Sequence, residues 1–264
     1  MSTEELHSLV ERSTILRGMV GSTVHGLHHG GQDDRDEMAI FLEPPEFLIG
    51  LRLAQSGNSW GSFEHYIERT QPEGARSGPG DLDLVAYSLR KWLRLALSGN
   101  PTVLLLLFSP EDSLIVCTDR GHALRAFAPA IVSRKAGPRF EGYMRAQKER
   151  LIGTRGQRRV NRPELIEAHG FDTKYAMHVT RLGLQGIELL TTGRLTLPMA
   201  EPERARVMAI RRGEVPFDEA VAEIEAIERR LQAAVKESPL PGEPDHDRVD
   251  EFVIDSYREA WGWR

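Results

Sequence analysis

Cysteine is nearly absent: the chain of 264 residues has one, Cys117. A single thiol can form no disulfide within the chain and cannot furnish a cysteine-rich zinc site. Its neighbours Leu114, Ile115 and Val116 are apolar, so Cys117 reads as a small core residue rather than a nucleophile. The cytoplasm is the expected location. Long apolar runs are missing too. The longest, Val103 to Phe108, falls far short of the roughly 18 residues that mark a membrane span, and it reads as a buried element. No membrane partner is expected. The first residues, Met1-Ser-Thr-Glu-Glu, show no basic stretch leading into an apolar one, so no secretory signal is expected. Nor is there an excess of positive charge. The net charge of −5 argues against a protein that coats DNA, while leaving room for a local basic groove. The segment Arg155-Gly-Gln-Arg158-Arg159-Val-Asn-Arg162 is such a concentration, readable as a solvated loop or as an RNA contact.

What is present is the composition of a globular protein, 40% hydrophobic and 28% charged, without a disorder signature. Glu4 to Arg12 predicts a short helix, acidic early as the helix dipole prefers. Ile15 to Val20 predicts a strand stopped by Gly21-Ser22. His25 to Asp33 reads as a glycine-rich turn or loop. Met38 to Leu42 predicts a second strand, ended by Pro44-Pro45, and Phe63 to Ile67 a third. Gln71 to Gly80 reads as a loop. Asp81 to Tyr87 predicts a further strand. Ser88 then caps a helix with its apolar stripe at Leu89, Trp92, Leu93 and Ala96. From Phe140 onward the pattern is helical. Asp172 caps a helix closed by Gly193, Phe217 to Val235 is amphipathic, and residues up to Trp261 form a last amphipathic helix. The fold class is therefore α+β. A catalytic part over residues 1–135 would be followed by a helical part over residues 136–264. The last helix could pack on its own domain or on a second copy, which leaves oligomeric state open.

The chemistry concentrates in Asp34-Arg35-Asp36. At the start of a strand, residues two apart point the same way and Arg35 points the other way. Adjacent carboxylates repel unless a cation lies between them. Hard divalent cations prefer oxygen ligands and suit phosphate substrates. Two ions about 4 Å apart can clamp the attacking and leaving oxygens of a phosphoryl transfer. Asp83 is the candidate third carboxylate, with Asp81, on the same face, as the alternative. Gly21-Ser22 supplies a phosphate cradle, through close backbone approach at the glycine, amides at a helix start and a hydroxyl. The histidines His25, His28 and His29 lack the spacing of a zinc site. Trp60, Trp92, Trp261 and Trp263 read mainly as packing residues, though Trp60 could stack on a base.

Strand, Gly21-Ser22, glycine turn, Asp34-Arg35-Asp36 and strand, in that order, resemble the DNA polymerase β nucleotidyltransferase superfamily. The narrower resemblance is to its RNA-repair-pathway branch. It is carried by Tyr87-Ser-Leu-Arg-Lys-Trp-Leu-Arg-Leu-Ala-Leu-Ser-Gly-Asn-Pro101, by Phe171-Asp-Thr-Lys-Tyr-Ala-Met-His-Val-Thr-Arg181, and by Leu190-Thr-Thr-Gly193 with Ile210-Arg-Arg-Gly-Glu214. The likeness runs from Leu16 to Val235. Two places depart from the pattern: Asp33 stands where serine is usual, and Glu37-Met38-Ala39 is an unusual continuation.

The resemblance implies a metal-dependent nucleotidyltransferase. It would use two Mg2+ ions, or Mn2+, on Asp34, Asp36 and Asp83, and take a nucleoside triphosphate, with ATP among the candidates. Gly21 and Ser22 would hold phosphates. Lys174, His178 and Arg181, at i, i+4 and i+7 on one helix face, would add nucleotide-binding donors. Arg90 and Lys91 are secondary candidates. RNA is the favoured acceptor, with a protein hydroxyl or a small molecule also compatible. The alternatives are a non-catalytic nucleotide- or RNA-binding module of the same fold and a metal-dependent phosphohydrolase.

Overall fold

The computed structural model describes residues 2–27, 35–51, 54–56, 59–61, 63–75, 77–78, 80–153 and 162–263. Expectations placed on His28, His29, Asp33, Asp34, the side chain of Trp60 and the basic segment from Arg155 to Asn161 lie outside the described residues. The chain forms two compact units. Residues 1–96, 105–131 and 244–264 make the first, and residues 97–104 and 132–243 make the second.

In chain order the elements begin with α1 (Thr3–Ser13), β1 (Thr14–Met19), α2 (Gly21–His25), β2 (Arg35–Phe41), α3 (Pro45–Leu48), β3 (Ala54–Ser56) and β4 (Ser59–Gly61). They continue with β5 (His65–Arg69), β6 (Leu82–Ser88), α4 (Leu89–Leu97), α5 (Pro101–Phe108), a 3-10 turn (Glu111–Ser113), β7 (Leu114–Cys117), α6 (Asp119–Ala126) and α7 (Ala128–Ile131). Then follow α8 (Ala136–Leu151), α9 (Pro163–His169), α10 (Thr173–Thr192), α11 (Glu203–Arg211) and α12 (Phe217–Glu237). The last is α13 (His246–Trp261). A mixed five-stranded sheet followed by helices bears out the α+β expectation.

The sheet order is β5-β6-β2-β1-β7, with β2 and β6 parallel and the other neighbours antiparallel. Parallel register pairs Ala39 with Ala86. Successive side chains alternate across a sheet, so Ala39, Phe41, Leu84 and Ala86 share the face that buries Leu9 and Val10 of α1 together with Phe47 and Phe63. Ser2 and Glu5 start α1 with a reciprocal capping box. On α4 the predicted stripe of Leu89, Trp92, Leu93 and Ala96 is buried.

Three local readings change. His25 belongs to α2, and the turn starts at Gly26, which ends that helix in the left-handed conformation. Asp81 precedes β6 rather than opening it. Cys117 is half-buried, not a core residue, because β7 is an edge strand covered on one flank by β1. Burial nevertheless pushes its thiol up from the ordinary range.

The last helix packs within the first unit, although the sequence expectation counted it with the helical part. Phe252 stacks on Phe127 at 5.0 Å. Tyr257 donates a hydrogen bond to the buried carboxylate of Glu43, and Trp261 Nε1 donates to the Glu43 carbonyl at 3.0 Å. Burial pushes the Glu43 carboxyl up, against the hydrogen bond from Tyr257. In the second unit α10 is the central element and packs against α8, α11 and α12. Small residues allow this: a Cβ on Gly183 would lie 2.3 Å from the Ile227 side chain. Among the described residues no helix is long and apolar enough to cross a membrane.

Candidate active site

The first cluster forms where β1 ends and β2 and β6 begin. β1 runs into Gly21, whose φ is +71°, a conformation costly for any residue with a Cβ. Space makes the same demand, since a Cβ there would lie 2.1 Å from Asp36 Oδ2 and 2.9 Å from Asp36 Cβ. The backbone around Gly21 thus closes directly on the Asp36 side chain. Val20 N donates to the Asp36 carbonyl at 2.8 Å, extending the β1–β2 ladder to the end of the strand. Ser22 follows in the first turn of α2, and its carbonyl accepts from Leu27 N at 3.1 Å.

Across the parallel β2–β6 pair, Asp36 is the register partner of Asp83. Register partners on adjacent strands carry their side chains on one face, so two half-buried carboxylates stand side by side. Asp83 Oδ1 also accepts from Arg69 Nε at 3.2 Å, Arg69 being its partner on β5. The alternative acid, Asp81, is engaged locally. Its Oδ2 accepts from Gly78 N at 2.9 Å and its Oδ1 from Thr70 Oγ1 at 3.1 Å. The structure therefore brings Gly21, Asp36 and Asp83 together, with Ser22 adjoining Gly21 in sequence.

Glu37, which sequence reading treated only as an odd continuation, turns to the opposite face and is buried. Arg17 Nε and Nη2 reach its Oε2 at 2.7 and 2.6 Å, and Arg35 Nη2 reaches its Oε1 at 2.5 Å. A buried carboxylate needs such pairing. The pair fixes both strands directly behind the acidic residues. The signal was present in Arg35 and Glu37, two apart and so on one face. Of the secondary candidates, Lys91 lies 3.7 Å from Glu64, which Arg94 also engages, so Lys91 fits a structural role.

A second cluster belongs to the second unit. Asp172 caps α10 by accepting from Lys174 N at 3.0 Å and Tyr175 N at 3.2 Å, while its Oδ2 takes Arg162 Nη1 at 2.7 Å. The Arg162 guanidinium lies over the Tyr175 ring at 4.9 Å. Lys174, His178 and Arg181 follow on the expected common face of α10, all half-buried. From α11, Arg211 Nη1 reaches Thr173 Oγ1 at 3.3 Å. No local pattern in the sequence ties Arg211 to this helix, and tertiary packing supplies the link.

Burial, then the charges of Arg181, Lys174, Arg162 and Arg211, hold the His178 imidazole well below its ordinary range. Burial also lowers Arg181 to about 10. Of the three residues expected to offer donors on this face, His178 is therefore neutral near pH 7. Stability should follow. Above pH 6.5, the ordinary value, folded and unfolded chains both carry a neutral His178. Below it the unfolded chain takes up a proton that the folded chain refuses, so stability falls as pH falls. Denaturant titrations should show a shallower decline below pH 6.5 for His178→Gln than for the parent. Parallel curves would remove this account.

Residues 2–255 match the RNA repair pathway DNA polymerase beta family. The chain belongs to that family. No curated protein matches it. Membership supports a general nucleotidyltransferase role and accounts for the resemblance across most of the chain. Within this RNA repair polymerase beta family member, the three motif stretches occupy defined places. Tyr87 to Pro101 holds the end of β6, α4 and the start of α5, and Phe171 to Arg181 holds the cap and first turns of α10. The Ile210 to Glu214 stretch holds the end of α11 and its cap Arg212, followed by Gly213, where a Cβ would lie 2.1 Å from His169 Nδ1.

Proposed function

We propose that the protein is a metal-dependent nucleotidyltransferase that moves a nucleoside monophosphate from a triphosphate to an acceptor hydroxyl, releasing pyrophosphate. The observation carrying this reading is the register pairing of Asp36 with Asp83 beside Gly21. Two half-buried carboxylates on one sheet face are a donor set for hard divalent cations. Asp36 and Asp83, with Asp34 from the sequence motif, would hold two Mg2+ ions, or Mn2+. Such ions would supply charge neutralisation at the phosphates and activation of the acceptor hydroxyl.

The chain's own groups account for the rest. Gly21 lets the backbone approach a ligand closely, and Ser22 adds a hydroxyl for phosphate oxygens. Asp83 is suited to draw the proton from the acceptor hydroxyl. The acceptor oxygen bonds to the α-phosphorus as the bond to the bridging oxygen breaks and pyrophosphate departs. On the α10 face itself, Lys174 and Arg181 are suited to bind anionic oxygens of a nucleotide as cations and neutral His178 as a hydrogen-bonding group. Arg162 and Arg211 join them in this proposal, because Arg162 pairs with the cap residue Asp172 and Arg211 reaches Thr173 at the same helix start. RNA is the preferred acceptor, in keeping with the RNA repair family.

The test is incubation with each labelled triphosphate, Mg2+ and either total RNA or total protein. Label should enter RNA with an equal yield of pyrophosphate, and a chelator should stop both. Magnesium-dependent triphosphate binding without pyrophosphate release, against every acceptor pool, would favour a non-catalytic binding module.

A further inference from the structure

A row of charged side chains crosses the sheet where β5 ends and β6 and β2 begin. Register pairs Arg69 on β5 with Asp83 on β6, and Asp83 with Asp36 on β2. Arg69 Nε lies 3.2 Å from Asp83 Oδ1. The backbone beneath this contact is fastened. Thr70 N donates to Leu82 O at 3.2 Å, and Leu82 N donates to Thr70 Oγ1 at 2.9 Å. Arg69 is therefore held at the level of the acidic pair, and its charge faces the row.

As a plain cross-strand ion pair this contact would contribute little. The Arg69 side chain is 55% exposed, and exposed pairs are screened by water. Its position matters more than its strength. A guanidinium on one oxygen of Asp83 restricts that carboxylate and places a positive charge next to the donor set for a divalent cation. Two cations that share one carboxylate repel and compete for it.

We propose that Arg69 is a positioning residue for the acidic site, which restrains Asp83 and sets the site's divalent-cation affinity below that of the two carboxylates alone. The proposal rests on the reading of Asp36 and Asp83 as metal ligands. A structural ion pair would change melting temperature on removal, but not metal affinity. Loss of a competing charge changes metal affinity.

The test is Mn2+ titration of the full chain, with free Mn2+ followed by electron paramagnetic resonance. The parent, Arg69→Gln, Arg69→Lys and Asp83→Asn are compared, and circular dichroism verifies folding. Arg69→Gln should bind Mn2+ about 5-fold more tightly, Arg69→Lys should stay close to the parent because the charge remains, and Asp83→Asn should bind far more weakly. If Asp83→Asn loses Mn2+ while Arg69→Gln matches the parent, the role of Arg69 is overturned and the metal-site reading stands. If the parent itself binds no Mn2+, both are overturned.

Discussion

Asp83→Asn should lower nucleotide transfer roughly 1000-fold, whereas Asp81→Asn should leave it within about threefold of the parent. Both aspartates lie near the start of β6, two residues apart, so periodicity alone cannot rank them. Their surroundings can. Asp83 is in register with Asp36 across the parallel strand pair, and losing its charge would strip the proposed site of a ligand and of the group that draws the acceptor proton. Asp81 spends its carboxylate on Gly78 N and Thr70 Oγ1, closing the turn that leads into the strand. Asparagine there keeps an acceptor oxygen and much of that turn. The measurement is label transfer to RNA, with circular dichroism melts showing that both variants fold. Equal losses in the two variants would remove Asp83 from its assigned place.

Gly21→Ala should lower transfer by at least about 100-fold, although it removes no functional group. Alanine at φ +71° costs on the order of 1–2 kcal/mol in backbone strain. The added methyl group would also lie 2.1 Å from Asp36 Oδ2, so one of the two must move. Either the carboxylate rotates out of the row with Asp83 or the α2 turn shifts away. A displacement of about 1 Å at a reacting centre is enough for such a loss. Thermal melting should fall modestly, and the Mn2+ affinity of the variant should fall with its activity. Full activity in Gly21→Ala would show that Asp36 is not held by this contact in the working enzyme.

Much of this was legible because the informative patterns are local. Short apolar runs bounded by glycine and proline marked β1 and β2, and alternation marked β6. Apolar spacing marked α4, α12 and α13. Ser88, Asp172 and Gly193 punctuated helices where the backbone required it. The acidic motif and Gly21-Ser22 identified the strand ends that carry the chemistry. The limits of the reading are tertiary. Asp36 and Asp83 become partners because β6, rather than the earlier β5, pairs with β2 in parallel, and no local pattern encodes that neighbour. Arg69 enters the row for the same reason. Glu37 sits on a buried face where apolar patterning gives no place for a carboxylate, and its partner Arg17 comes from another strand. β7 is too short to show alternation, which left Cys117 assigned to the core. Arg162 and Arg211 meet the α10 face only through folding of the second unit.

The backbone hydrogen bond from Asp245 N to Ala130 O, at 2.9 Å, joins the two ends of a long excursion, because the second unit's residues lie largely between them in sequence. This arrangement has a consequence for the order in which a ribosome delivers the chain. The strands bearing Asp36 and Asp83 emerge early. Glu43, at the end of β2, must wait for Tyr257 and Trp261, more than two hundred residues later. Until then its carboxylate keeps its water, and the first unit lacks its closing helix. The nascent chain would therefore complete the second unit before it can finish the first.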